Sequence, residues 1–294
     1  MSNYTYLVLK GIRVQHANAM TSWNVISAPP ITAHVGFGMA IAHHYEMSAD
    51  FKGIAILHQG LDHEGRYMYG RLEPNRVRGL PVVTNRSGLN MSKGLSGQPF
   101  AICHYEFSCV LRFEGDVSQK LMDDLTQAGY GELFLNRLKS QMRFAGGLIV
   151  RVDKILATQS KEEAFRILPK SGSWVLDRKD LIENRKEEEN QLDAALSNLY
   201  PYQSPEQKNA LTKEEKEEIQ KNKPWLSMSS VGYSLLTKLR QTDGVRQNLD
   251  HAYAETLLGL IEYRSFRKVD LSQQAIFWQY REISPKVIVC QNFI

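Results

Sequence analysis

The chain has 294 residues, and its 36 Lys plus Arg against 32 Asp plus Glu leave a net charge of +4. Hydrophobic residues at 43% and charged residues at 23% exclude wholesale disorder. No run reaches the ~18 apolar residues of a membrane helix, and the N-terminal stretch lacks a basic region or cleavage pattern, so a cytoplasmic protein with no membrane partner is expected.

In chain order, Tyr4–Val14 is rich in β-branched and aromatic residues and predicts a first strand. Ala28-Pro29-Pro30 breaks the chain, and Ile31–Tyr45 predicts a helix with Pro30 suited to its first turn. Its small residues Ala33, Gly36, Gly38 and Ala40 cost helix propensity and make sense if this helix packs closely on a sheet. Phe51–Gln59 predicts a second strand. About forty residues rich in Gly, Arg, Asn and Ser follow, up to Pro99. Ala101–Phe113 predicts a long third strand, Ser118–Met142 a helix broken at Gly129–Gly131, and Leu148–Ile155 a fourth strand after the Gly146-Gly147 turn. The order β-α-β, insertion, β-α-β predicts an α+β fold with a ferredoxin-like (RRM-like) palm, its two helices on one face of a four-stranded sheet.

Beyond Ala157, Trp174–Leu176 predicts a short strand. Leu181–Leu199 and Ser204–Lys221 predict two charged helices, the second with an N-terminal signal in Ser204-Pro205-Glu206. Val231–Leu239, Ala254–Tyr263, Gln274–Ile283 and Val287–Val289 predict further strands or short helices. With no repeat or low-complexity linker, 1–294 is expected to be one elaborated domain. Its parts are a palm over 1–156 interrupted by the basic insertion over 60–100, a charged helical insertion over 181–222, and a C-terminal α/β elaboration over 223–294.

The charge is unevenly spread. Glu183–Asn222 holds ten acidic and six basic residues, a net of −4, which leaves +8 on the rest. Gly60–Phe100 holds six basic residues (Arg66, Arg71, Arg76, Arg78, Arg86, Lys93) against Asp62, Glu64 and Glu73. Five arginines suit bidentate contacts to phosphate, although a solvated loop would have the same composition.

Catalytic patterns are missing. Of eight histidines, His16, His34, His43, His44 and His58 fall in the first sixty residues, but none belongs to HExxH, and GxSxG, GxxxxGK[ST] and GxGxxG do not occur. Cys103, Cys109 and Cys290 form no CxxC or His–Cys cluster, so buried thiols are expected, with no disulfide, metal or cofactor. A nucleic-acid reading fits more of the chain. A ferredoxin-like sheet offers an open face for single-stranded RNA, with arginines on the phosphates and glycines admitting backbone amides. Gly146-Gly147 after Arg143 could cradle a backbone in this way; the plainer alternative is a tight helix-to-strand turn.

Val14–Ser22, then Ser27–Pro30 and Val35–Phe37, resemble the N-terminal signature of a CRISPR family, the Csy-two, Cas-five-type RAMP subunits of type I-F Cascade (Csy) complexes. Further matches follow in order: Val83–Arg86 with Leu89-Asn90, Gln141–Gly147, Gly172–Leu176, Lys223–Leu226, Val231–Tyr233 and Phe277–Tyr280. The resemblance implies a non-catalytic, guide-RNA-binding subunit whose ferredoxin-like palm carries a long inserted β-hairpin thumb, here residues 60–100. Such a subunit caps the crRNA 5′ handle together with the large Cascade subunit, abuts a neighbouring backbone (Cas-seven-type) subunit and supports target DNA binding. Outside Thr84–Asn90 the thumb departs from the family pattern, so its arginines rest on the charge reading alone.

The expected RNA contacts are Gln15, His16 and Asn18 for handle nucleotides, Arg66, Arg71, Arg76, Arg78, Asn85, Arg86 and Asn90 in the thumb, and Arg143 with Gly146 and Gly147 as a backbone cradle. For Asn18 the alternative is a local turn in which it bonds its own backbone. Trp225 and Tyr233 are expected in the core. The rival function is a RAMP-class RNA-processing endoribonuclease with His16 or His34 as acid or base. A third reading makes the acidic helices a protein docking surface.

Overall fold

The computed structural model describes residues 4–22, 25–68, 71–74, 76–79, 97–126, 131–185, 190–200, 212–214, 224–241, 249–272 and 274–293. The first strand, β1 (Tyr4–Asn18), runs past its predicted end and is followed by a small ribbon of β2 (Met20–Ser22) and β3 (Val25–Ile26). Helix α1 (Ile31–His44) starts where the two prolines predict it, with Pro30 as N-cap. Its first free amide, on Ile31, donates 3.2 Å to Ser229 Oγ, so the cap comes from a distant strand. Next come β4 (Phe51–His63), the insertion strands β5 (Gly65–Met68), β6 (Arg71–Pro74) and β7 (Arg76–Gly79), and the long β8 (Gly97–Glu114). The predicted broken helix is α2 (Gln119–Thr126) and α3 (Glu132–Gln141).

β1 pairs β8 from Tyr4↔Glu114 to Asn18↔Ile102, and β4 lines the other edge of β8 from Phe51↔Phe113 to His63↔Cys103. The far edge of β1 is taken by β10 (Gly147–Arg151) and β11 (Lys154–Thr158). The order β4–β8–β1–β10 is antiparallel throughout, with α1 and α2–α3 as crossovers, so at the level of strand order the sheet is ferredoxin-like. Both crossovers lie on one face, where Leu7, Leu9, Ile12, Ile56 and Leu111 meet Val35, Ile41, Leu121, Phe134 and Leu138 in one buried cluster. The small residues of α1 do bring it close: a β-carbon on Gly38 would stand 2.7 Å from the Phe51 ring. The predicted fourth strand is two. Gly11, at φ 64°, bulges β1, and the Asp153 amide donates to the Lys10 carbonyl at 2.8 Å, so the partner strand breaks at Val152-Asp153.

The opposite face is not open along its whole length. Tyr6, Val8, Ala55, Leu57 and Val110 are covered by Ala164 and Phe165 of α4 (Lys161–Arg166), by Leu168 and by the aromatic pair Trp174 and Phe277. This face, expected to be open, is thus covered along that stretch.

After β11 the described residues add five strands: β12 (Ser173–Asp177), β13 (Leu226–Leu235), β14 (Ala254–Ser265), β15 (Phe277–Ser284) and β16 (Val287–Phe293). They pair in the order β12–β14–β13–β16–β15, and both ends return to β4, through Trp174↔Leu57 and Trp278↔Ile54. Six strands thus close a ring that shares β4 with the palm, which removes the free edges of this half. Trp278 is fully buried within it and donates through Nε1 to the Val175 carbonyl at 2.8 Å. Between β12 and β13 lie α5 (Asp180–Glu183) and α6 (Gln191–Leu199), where one helix over Leu181–Leu199 is expected. The helix expected over Ser204–Lys221 lies outside the described residues apart from 212–214. Among the described residues no helix is long and apolar enough to cross a membrane.

Candidate nucleic-acid interface

The last residues of β1 carry the first group of expected contacts, and a bulge decides which way they point. Val14 pairs Tyr105 and Ala17 pairs Cys103, so Gln15 and His16 together oppose the single residue His104. His16 absorbs the extra residue at φ 56°, a left-handed conformation uncommon outside glycine. The result is that His16 and His104 both project on the face away from the crossover helices, with ring centroids 5.3 Å apart.

Glu64, just past the end of β4, completes this corner. Its amide bonds the Ile102 carbonyl at 3.0 Å, and its carboxylate Oε1 lies 3.2 Å from His16 Nε2 and 3.6 Å from His104 Nε2. β1, β8 and the residue just past β4 therefore place two imidazoles and one carboxylate together, each partly open to solvent, and among the described residues this set can hold a metal ion. Glu64 and His104 were not among the expected site residues.

Beside the cluster lies a groove of about 370 Å³ lined by Arg13, Gln15, Asp62, His104, Glu106 and Val150, among others. Its charges are mixed: Arg13 pairs Glu106 at 3.1 Å, and Asp62 faces the same space. A trough of this kind suits base edges, whose amino groups a carboxylate or amide oxygen accepts, better than it suits phosphates.

The third expected group meets β1 from the other side. Here β9 (Arg143–Phe144) and β10 form a hairpin whose two-residue loop is Ala145 at φ 47° and Gly146 at φ 79°, the pattern of a type I′ turn. The loop is a strand-to-strand turn, not the helix-to-strand turn the sequence suggests. The Ala145 carbonyl accepts from the Asn18 amide at 2.9 Å, and Leu148 pairs Gln15, so Gln15, His16, Asn18, Arg143, Gly146 and Gly147 share one corner. Asn18 Oδ1 accepts from the Met20 amide at 2.9 Å, the local turn that was the alternative for this residue. Arg143 is exposed and donates to the Met142 carbonyl at 3.1 Å.

The insertion rises from the same corner. β5 and β6 form a hairpin in which the exposed Arg66 pairs Glu73 and Arg71 pairs Met68. β7 places Arg76 opposite Ala101, with Arg78 two residues further, against the start of β8. Asn85, Arg86 and Asn90 lie outside the described residues.

Other expectations resolve differently. His34 is buried beneath the sheet, donating from Nδ1 to the Pro30 carbonyl at 2.9 Å and accepting at Nε2 from the Tyr105 hydroxyl at 3.1 Å. Burial lowers its pKa to about 4. It is a neutral core group that cannot reach a substrate, which removes it from the nuclease reading. Cys103, Cys109 and Cys290 are free and buried, and burial pushes the Cys103 and Cys290 thiols up to about 12. Trp225 is 80% exposed and Tyr233 40%, so neither belongs to the core as expected. Tyr233 alternates outward on β13, and Trp225 precedes that strand, its carbonyl accepting from the Tyr263 amide at 2.8 Å.

A mixed α+β protein built on a central antiparallel sheet, with hairpin-like pairings at one corner, is the class these features define. The sequence model of the family described as CRISPR-associated protein (Cas_Csy2) matches residues 7–287, and the chain belongs to that family. No curated protein matches the chain.

Proposed function

We propose that this protein is a non-catalytic, guide-RNA-binding subunit of a type I-F CRISPR surveillance complex, which holds the crRNA 5′ handle between its palm and the 60–100 thumb. Family membership supports the role. The observation that carries it is convergence: the end of β1, the β9–β10 hairpin and the root of the arginine-rich insertion, named for different reasons, meet at one corner around an exposed groove. In this reading Gln15 and the groove's carboxylates address bases, while Arg66, Arg71, Arg76, Arg78 and Arg143 hold phosphates. The partners are the large subunit, the neighbouring backbone subunit and, within the assembly, target DNA. On α6, Leu192 and Leu196, with Tyr200 following, are exposed at a spacing of four, which supports a protein-facing surface there.

Photo-crosslinking of handle RNA to the full chain tests the site. Crosslinks are expected within residues 13–18, 60–106 and 143–150; crosslinks confined to α4–α6 or the β13–β16 ring contradict it. The nuclease alternative retains His16, which is exposed beside His104. Incubation with repeat RNA separates the two: metal-independent cleavage abolished by His16→Ala supports the nuclease, and intact RNA supports the binding role.

A further inference from the structure

We propose that His16, Glu64 and His104 form a binding site for a divalent transition metal of the zinc class at the root of the insertion. The site is built by register. The bulge at Gln15–His16 turns His16 onto the face that His104 occupies, and the pairing of Asp62 with His104 sets Glu64 on that face one step along. One ligand comes from near the end of β1, one from within β8 and one from the β4–β5 junction.

The geometry is close to that of a loaded site. Ligand bonds of about 2.0–2.1 Å in a tetrahedral site put neighbouring ligand atoms roughly 3.3 Å apart. Glu64 Oε1 stands 3.2 Å from His16 Nε2 and 3.6 Å from His104 Nε2, and all three ligand atoms lie within 4.8 Å of one another. The remaining edge closes by rotation of the His16 ring, whose side chain is 59% exposed. The Nδ1 of His104 is buried without a hydrogen-bond partner, which leaves Nε2, the nitrogen facing Glu64, as its ligand atom. Two neutral imidazoles and a carboxylate are borderline donors that suit Zn²⁺ better than Mg²⁺ or Ca²⁺, and three protein ligands leave one position for water or another oxygen. Bound metal would fasten β1, β8 and the β4–β5 junction to one another where the insertion leaves the palm, without RNA being present.

The test uses untagged full-length protein free of RNA. Titration with ZnCl₂ followed by calorimetry, and with CoCl₂ followed by visible absorption, is expected to show one saturable equivalent and the bands of low-symmetry Co²⁺. Affinity is expected to fall at least ~10-fold in Glu64→Gln, His104→Ala and His16→Gln, and to be unchanged in His43→Gln, an exposed histidine on α1. Zn²⁺ is expected to shield His16 and His104 of the unmodified protein from diethylpyrocarbonate, a measurement that needs no variant to fold. Absence of saturable binding, binding that survives all three substitutions, or no shielding of either histidine overturns the proposal.

Discussion

A β-carbon on Gly147 would stand 2.6 Å from the Gln15 carbonyl oxygen and 2.8 Å from the Ala17 amide nitrogen, so β10 approaches the β1 bulge as closely as backbone allows. Both obstacles are main chain and neither can rotate aside. Gly147→Ala is therefore expected to cost about 2 kcal/mol or more by chemical denaturation and to displace His16. Gly146 has open space around it and needs only its positive φ, so Gly146→Asn is expected to cost under ~1 kcal/mol. Equal losses in the two variants would contradict the close-approach explanation.

Two histidines drawn out of solvent set an acid limit. His34 and His58 both have pKa values lowered to about 4 by burial, against 6.5 in the unfolded chain. The unfolded state therefore binds more protons between those values. Stability is full above about pH 6.5 and falls toward pH 4, by up to ~1.4 kcal/mol per pH unit for each histidine. Urea melts from about pH 7 down to about pH 5 are expected to show a falling midpoint; a flat midpoint contradicts this.

Asp124 is buried at the seam of α1, α2 and α3, accepting from the Tyr45 hydroxyl at 2.8 Å and pairing with Arg137 at 2.6 Å. Arg137→Ala strands a buried carboxylate and is expected to cost roughly 3 kcal/mol. Tyr45→Phe leaves the ion pair and is expected to cost about 1 kcal/mol. Thermal melts of both variants check the ranking, and a larger loss in Tyr45→Phe contradicts it.

Trp278 and Trp225 occupy opposite environments and make a direct contrast. Trp278→Ala removes a fully buried ring and its bond to Val175 and is expected to cost about 3–5 kcal/mol. Trp225→Ala, on a residue 80% exposed, is expected to stay within about 0.5 kcal/mol. A comparable loss at Trp225 would place that ring against the fold.

What could be read from the sequence follows the range of the interactions. β1, α1, β4 and β8 were legible because runs of β-branched, aromatic and apolar residues and the Pro29-Pro30 break act locally, and the palm's strand order follows from their succession. The closed ring was not, because it depends on β12 and β15 each finding one stretch of the β4 edge, a long-range pairing with no local mark. Trp225 was misplaced because its residue type favours burial and nothing nearby in sequence marks its exposure. Gln15, His16 and Arg143 were named individually. Their meeting with Glu64 and His104 depends on a one-residue bulge, which side-chain pattern alone does not reveal.

The arginines proposed to hold phosphates carry the central claim, and the salt dependence of binding tests it most directly. Arg66 and Arg143 are both exposed at the corner. In titrations of 5′-handle RNA across a range of salt, the Arg66→Ala/Arg143→Ala double variant is expected to bind more weakly at low salt. Its plot of log affinity against log salt is expected to be flatter by about 0.7 for each phosphate that the substitutions leave without a cation. Affinity and slope both equal to those of the unsubstituted protein would contradict the placement of the RNA at this corner.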